Sequence, residues 1–251
     1  MELAIFDYHT YHVLYPKFYF PFLKEVFFLD IYRTDLLKPK DIVLDLGAST
    51  GDFCIIASKK VGEKGRVIAI EPNAEDYEIL KLNIQRNNCR NIIPLNLAVG
   101  SECMEKETTF WGRKSTCKVN TLENILDMLN INDKIDFIKL DIEGFELDVI
   151  HKSILKVKEA NIISLEFHHT KEKIDSLLLP HGFDFKPITM SYIYRKIIKN
   201  LFLHPITLFN VYAHTIRKNG MPRALRKAIT GFDMTKDDLL VGSYIKRREQ
   251  L

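Results

Sequence analysis

Residues 42–51 read Ile-Val-Leu-Asp-Leu-Gly-Ala-Ser-Thr-Gly, and a second apolar run, Val67-Ile68-Ala69-Ile70, closes on Glu71-Pro72-Asn73. An apolar run ending in a glycine bend fits a buried strand whose turn lets the next helix N-terminus approach a ligand. An acid at the end of the following strand lies where a ribose would be held. The pair points to a nucleoside-bearing cofactor. The bend is Gly47-x-x-x-Gly51 with Asp45 two residues ahead of it, not the G-x-G-x-x-G that packs against a pyrophosphate.

The same alternation continues along the chain. Apolar, β-rich runs over 41–46, 66–70, 92–98, 135–140, 161–167, 183–188 and 239–247 are separated by helical patterns over 51–61, 74–87, 121–129, 144–156 and 171–180. This predicts a doubly wound, mostly parallel seven-stranded sheet with helices on both faces, a Rossmann-like α/β arrangement. Asn73 is the expected cap of the second helix, with Glu75 and Asp76 in its first turn. Threonines and Val119 around Trp111-Gly112-Arg113 predict a β-hairpin within 101–120.

Two segments depart from the pattern. Residues 1–32 hold eleven aromatic residues interrupted by Pro16 and Pro21, which predicts short helical pieces in an aromatic cap over 1–40. That cap serves as packing core, as a wall of a substrate pocket, or as both. The remainder, 41–251, reads as one domain carrying a basic helical insertion, 190–236, before the last strand. Between 190 and 230 there are eight Lys or Arg and no Asp or Glu. Tyr194, Ile197, Ile198 and Leu201, and again Phe209, Tyr212, Ala213 and Ile216, follow helical spacing. Three uses stay open for this segment: a lid, a dock for an anionic membrane or lipid-linked phosphate, and a nucleic-acid contact. Apolar residues opposite the cations favour the first two over nucleic acid.

A net charge of +3 is too small to indicate nucleic acid by itself. The four cysteines lack zinc or disulfide spacing, the chain starts Met1-Glu2-Leu3 without a secretory pattern, and no run of eighteen apolar residues occurs. The expectation is a cytoplasmic protein, with peripheral membrane contact open and oligomeric state undetermined.

A second constellation, Asp136-Phe-Ile-Lys-Leu-Asp-Ile-Glu-Gly-Phe-Glu146, brings Asp141 and Glu143 to a strand end beside the glycine bend, with Gly144 freeing the backbone to start a helix. Asp45-Leu-Gly-Ala-Ser-Thr-Gly51, Ile70-Glu71-Pro72, Thr121-Leu-Glu-Asn and Ile138-Lys-Leu-Asp-Ile-Glu-Gly-Phe-Glu146 resemble, in order and spacing, the motifs of FkbM-type class I S-adenosylmethionine-dependent methyltransferases. The similarity covers roughly 35–170 and a closing strand near 239–248. It departs at Ser49-Thr50-Gly51, where the family usually has Asn-x-Gly.

The resemblance implies O-methyl transfer from S-adenosylmethionine to a hydroxyl of a sugar, glycan or related small molecule. It implies that Asp45, Gly47, Gly51 and Glu71 bind the cofactor, with Ala48, Ser49 and Pro72 in the same turns, and that Asp141 and Glu143 line the transfer centre, where Asp141 also meets the cofactor. Asn96 and Ala98 end the third strand, where an adenine edge would be read. For the general base, His168 competes with Asp141 and Glu143, or no dedicated base is needed; an unperturbed imidazole can take a proton at neutral pH, whereas a carboxyl must be raised by burial or by like charge. Asp141, Glu166 and His168 could also form an oxygen-rich site for a divalent cation such as magnesium, which their spacing does not require. Two alternatives are kept beside this reading: an RNA methyltransferase using 190–230, and a non-catalytic cofactor-fold protein that docks on a membrane or partner.

Overall fold

The computed structural model describes residues 2–110, 113–203 and 239–247. Within them lie β1 (Leu3–Tyr8), β2 (Tyr11–Pro16), α1 (Phe20–Lys24), a π-helical turn (Glu25–Leu29), β3 (Ile42–Leu46), α2 (Asp52–Val61), β4 (Arg66–Ile70), α3 (Ala74–Arg86), β5 (Ile92–Leu95) and β6 (Ala98–Val99). The chain continues through β7 (Met104–Phe110), β8 (Arg113–Asn120), α4 (Leu122–Met128), β9 (Phe137–Leu140), α5 (Glu146–Lys152), α6 (Ile154–Val157), β10 (Ile162–His168), α7 (Lys171–Leu178), β11 (Phe183–Pro187), α8 (Met190–Leu203) and β12 (Leu239–Lys246).

The central sheet has seven strands in the order β11-β12-β10-β9-β3-β4-β5. Its five middle and edge strands from β10 to β5 run parallel, and β12 runs antiparallel between β10 and β11. This is the expected doubly wound arrangement. Strand order reverses between β3 and β9, and a ligand crevice belongs outside the carboxyl ends of strands at such a switch point. The strands were legible because parallel strands are covered on both faces and read as nearly unbroken apolar runs. Residues 43–46, 67–70 and 137–140 are all buried.

Successive residues of β3 feed two separate cores. Val43 joins Phe53, Phe137 and the aromatic residues of the N-terminal segment on one side. Leu44 and Leu46 join Ile138, Leu165, Phe167 and Tyr244 on the other.

Three expectations need correction. Residues 3–16 form an antiparallel hairpin, β1 with β2, before any helical turn appears, so the N-terminal cap is not wholly helical. The third core strand ends at Leu95; the chain steps sideways at Asn96-Leu97, and Ala98–Val99 pairs with β8 in a separate three-stranded sheet with β7. The expected helix over 144–156 is two helices joined at Ser153, whose buried Oγ donates to Glu123 Oε2 at 3.0 Å. The hairpin within 101–120 is present, its tip at Trp111-Gly112 lying outside the described residues. Asn73 caps α3 by accepting the Glu75 N–H at 2.9 Å.

The start of the basic insertion is helical, as α8; the second expected helix, over 209–216, lies outside the described residues. Helix α8 packs on the π-helical turn of the N-terminal segment. Asn200 Nδ2 donates to the Phe28 carbonyl at 2.8 Å, Asn200 Oδ1 accepts from Tyr8 Oη at 3.1 Å, and Lys196 pairs with Asp30 at 2.5 Å. The two segments that depart from the alternating pattern therefore meet in space. Among the described residues, no helix is long and apolar enough to cross a membrane.

Candidate functional site

The bend after β3 uses three left-handed residues: Gly47 (φ +81°), Ser49 (φ +47°) and Gly51 (φ +94°). The ends of β3 and β9 converge here, so a methyl group on Gly47 would lie 1.9 Å from the Asp141 carbonyl oxygen. Ser49 tolerates its conformation because its N–H donates to Glu71 Oε2 at 2.7 Å. Glu71 Oε1 accepts from Asn73 N–H, also at 2.7 Å. Glu71 thus ties the bend of one strand to the helix start of the next, and both its oxygens keep spare acceptor capacity toward the cleft they line.

Gly47→Ala is expected to cost about 2 to 3 kcal/mol, from the left-handed backbone and from overpacking against Asp141. Gly182→Ala makes the control: its φ is +82°, but its nearest neighbour, Lys246 Cε, is 4.0 Å away, so only the backbone cost of about 1 kcal/mol applies. Urea midpoints of the two variants should separate in that order.

Beneath the bend lies an ion cluster that the sequence reading did not assign. Lys139 stands opposite Asp45 in the β3–β9 ladder, and both are buried. Lys139 Nζ is 3.2 Å from Asp45 Oδ1 and 3.8 Å from Asp141 Oδ2, and it donates to the Gly47 carbonyl at 2.5 Å. Burial alone would strip its proton, but Asp45, Asp141 and Asp52 outweigh burial and hold the ammonium above its usual value. Burial pushes Asp45 up to about 7 against the pull of Lys139, and Asp52 up to about 6 for the same reason. Asp45 therefore anchors the bend from below rather than forming the cleft surface. Ala48 and Gly51 are likewise structural parts of the bend, behind that surface, while Gly47, Ser49 and Pro72 face the cleft.

The cleft has a volume of about 690 Å³. One wall is Leu97-Ala98-Val99 after the third core strand, as expected for Ala98. Asn96 is placed otherwise: it is exposed, and its amide donates to the Glu71 and Pro72 carbonyls at 2.9 and 3.2 Å, bracing the acidic turn. The opposite wall comes from the N-terminal segment through Tyr19, Leu23, Glu25, Val26 and Tyr32. Tyr19 Oη donates to Asp76 at 2.8 Å, and Tyr32 Oη donates to Asp141 Oδ2 at 2.7 Å. Burial, with Asp141 and Glu166 nearby, holds the Tyr32 phenol well above its ordinary value, so it remains a donor. The aromatic segment is both packing core and pocket wall.

Asp141 and Glu143 reach the cleft at the end of β9, and Asp141 is positioned by Tyr32 and Lys139. His168 does not line the cleft. It sits behind the 142–146 turn, Nδ1 3.3 Å from Glu146 Oε1 and Nε2 3.7 Å from Glu143 Oε2. Glu146 Oε1 also accepts from Ile142 and Gly144 N–H at 3.0 and 3.2 Å, so Glu146 and His168 shape this turn, where Glu143 (φ +55°) and Gly144 (φ +98°) are left-handed. The side chain of β10 that faces the cleft is Glu166. Burial, then Asp141 and Glu25, push Glu166 up to about 8; burial, then Asp141, push Glu25 to about 8. Neither carboxyl makes a hydrogen bond or ion pair among the described residues. No group of three His, Cys, Asp or Glu among the described residues is arranged to hold a metal ion, which removes support for a cation at Asp141, Glu166 and His168.

These donors and acceptors fit S-adenosylmethionine: a carboxylate with spare lone pairs for a ribose diol, a bend with no room for a side chain, and a cleft where carboxylates outnumber cations for a sulfonium. The sequence profile of the Methyltransferase FkbM domain matches residues 45–193. Short stretches resemble ribosomal RNA large subunit methyltransferase E, from Azoarcus sp. (46% identical over 39 residues, 16% of this chain and 19% of that one) and Bdellovibrio bacteriovorus (53% over 36 residues, 14% and 18%). The chain thus spans about a fifth of the length of these curated relatives. Similar solved structures include precorrin-6y C5,15-methyltransferase of Geobacter metallireducens GS-15 (20% identity, 63% of this chain and 70% of that one, TM-score 0.44). Another is the tRNA m1G37 methyltransferase of M. jannaschii (18%, 74% and 50%, TM-score 0.45). With the ends of β3, β4 and β9 converging on one cleft and the profile covering more than half its length, the chain belongs to the FkbM methyltransferase family.

Proposed function

We propose that this enzyme methylates a hydroxyl of an uncharged sugar, glycan or related small molecule. The observation that carries the reading is the pair of unpartnered carboxyls, Glu25 and Glu166, in the cleft beyond Asp141. The cofactor supplies an electrophilic methyl group. Glu71 would hold the ribose through its free acceptor positions, the Gly47–Ser49 bend would approach the amino acid end, and Leu97–Val99 would cover the base. Tyr32 and Lys139 keep Asp141 oriented. A hydroxyl acceptor must lose a proton, and a carboxyl raised to about 8 serves as a strong base once ionised. Glu166 and Glu25 take that role in place of His168, which acts on the shape of the 142–146 turn.

The charge of the cleft weighs against RNA, which the short matches to ribosomal RNA methyltransferases would otherwise favour. Asp52, Asp76, Glu102, Asp141, Glu143 and Asp148 line it against Lys106 and Lys139, and a polyanion entering would meet repulsion. An electrophoretic shift with RNA that weakens steeply with salt would restore the RNA reading.

Cofactor binding tests the proposal and carries a pH signature. Glu25, Glu71 and Glu166 have folded values of about 8, above their ordinary 4.5, so the unliganded protein binds extra protons between those limits. Its stability should fall as pH rises from about 4.5 to about 8. A sulfonium favours the ionised carboxyls, so affinity for S-adenosylmethionine should rise across the same window with release of protons. Calorimetry in buffers of different ionisation heat measures this directly. S-adenosylhomocysteine, neutral at sulfur, should show a shallower dependence. Absence of binding at millimolar cofactor, or a flat pH profile, would sink the assignment.

A further inference from the structure

The cleft changes character from floor to mouth. Its floor carries Asp141, Glu25 and Glu166, while three apolar side chains from separate elements frame its mouth: Phe22 on α1, Met104 at the start of β7, and Phe145 after β9. Each lines the cleft, yet each is 45 to 49% exposed. Scattered exposed apolar side chains are ordinary on a protein surface; three converging on the rim of one cleft mark a binding surface. Lys106 Nζ lies 4.4 Å from the centre of the Phe145 ring, so the hairpin and the turn after β9 meet at this rim.

We propose that the acceptor is an uncharged amphiphile whose apolar portion lies over Phe22, Met104 and Phe145 while its hydroxyl reaches Glu25 and Glu166. This rests on reading the cleft as a site of O-methyl transfer and adds the class of acceptor. A fully hydrophilic sugar would leave the rim unused. An amphiphile with an anionic head would carry its charge past Glu102 and Asp148 and toward Asp141, which also line the cleft. The combination selects a neutral polar head joined to an apolar tail. In the transfer the acceptor O–H proton passes to a glutamate carboxylate, the oxygen bonds to the methyl carbon, and the carbon–sulfur bond breaks with its electron pair returning to sulfur.

The test uses the full chain saturated with S-adenosylhomocysteine and the neutral dye N-phenyl-1-naphthylamine as a fluorescent reporter. Hexyl β-glucoside is expected to displace the dye at least about tenfold more effectively than glucose, a ratio that burying about two methylene groups would supply. Hexyl phosphate should displace it more weakly than hexyl glucoside. Phe22→Ser and Phe145→Ser should each weaken dye and glucoside binding severalfold and leave the affinity for S-adenosylmethionine unchanged, which also shows that the variants fold. The inference is overturned if the dye does not bind, if the rim variants bind it as well as the parent, or if hexyl phosphate competes as strongly as the glucoside. Loss of S-adenosylmethionine binding in the parent chain would instead defeat the reading of the cleft itself, so the two failures are distinct.

Discussion

Replacing Glu71 by alanine should lower the affinity for S-adenosylmethionine by roughly 10²- to 10⁴-fold. The side chain offers a ribose diol two charge-assisted hydrogen bonds, each worth roughly 1.5–3 kcal/mol, and about 1.4 kcal/mol is tenfold in binding. The same carboxylate also receives the Ser49 and Asn73 N–H groups, so its loss loosens both turns. Adenosine separates the two effects. A ribose contact predicts that adenosine binding suffers as much as binding of the whole cofactor, whereas a purely structural role predicts a drop in thermal midpoint with little ligand dependence. Glu71→Gln should fall between, because an amide accepts through one oxygen only. Equal calorimetric affinity in parent and alanine variant would remove Glu71 from the binding site.

The second large effect concerns Lys139→Met, expected to destabilise the fold by about 3–5 kcal/mol. Removing one partner of a buried ion pair leaves the other charge uncompensated. Here the remaining partner, Asp45, is fully buried, and Asp141 and Asp52 surround the same ammonium. For a chain in this size range the thermal midpoint should drop by roughly 2–4 °C for each kcal/mol. Adding Asp45→Asn to Lys139→Met should recover part of the loss, since no buried anion then remains at position 45. The penalty should also shrink toward acid pH, where Asp45 takes up a proton. A double-mutant cycle from urea titrations measures the coupling, and a coupling near zero would mean that the pair does not act as one unit.

Much of this molecule could be read from its order of residues, for reasons visible in particular elements. Continuous apolar runs located β3, β4, β9 and β10, because strands covered on both faces need them. Asn73 announced α3 through its side-chain acceptor. The N-terminal hairpin was hidden because Leu3 and Ile5 are apolar on its outer face, which blurs the alternation, and because its turn uses His9 at φ +55° rather than glycine or asparagine. Lys139 was overlooked because a lysine inside an apolar strand reads as an exposed edge. Only the pairing of β3 with β9 sets it directly opposite Asp45. Glu25 had no local signature at all, since only the tertiary placement of a π-helical turn brings it to the cleft. His168 lies at the expected strand end but faces Glu143 and Glu146 of the 142–146 turn, and Glu166, two residues earlier, takes the cleft position.

The bond from Tyr8 to Asn200 spans 192 residues. During synthesis at about 5–20 residues per second, the first strand therefore waits on the order of 10–40 seconds before its distant partner has been made. Throughout that interval the aromatic leader has no α8 to cover it and is a ready target for chaperones or for misassociation with other nascent chains. Production at lower temperature, or with trigger-type chaperones in excess, should raise the soluble yield more for this chain than for a homologous sheet domain without the leader.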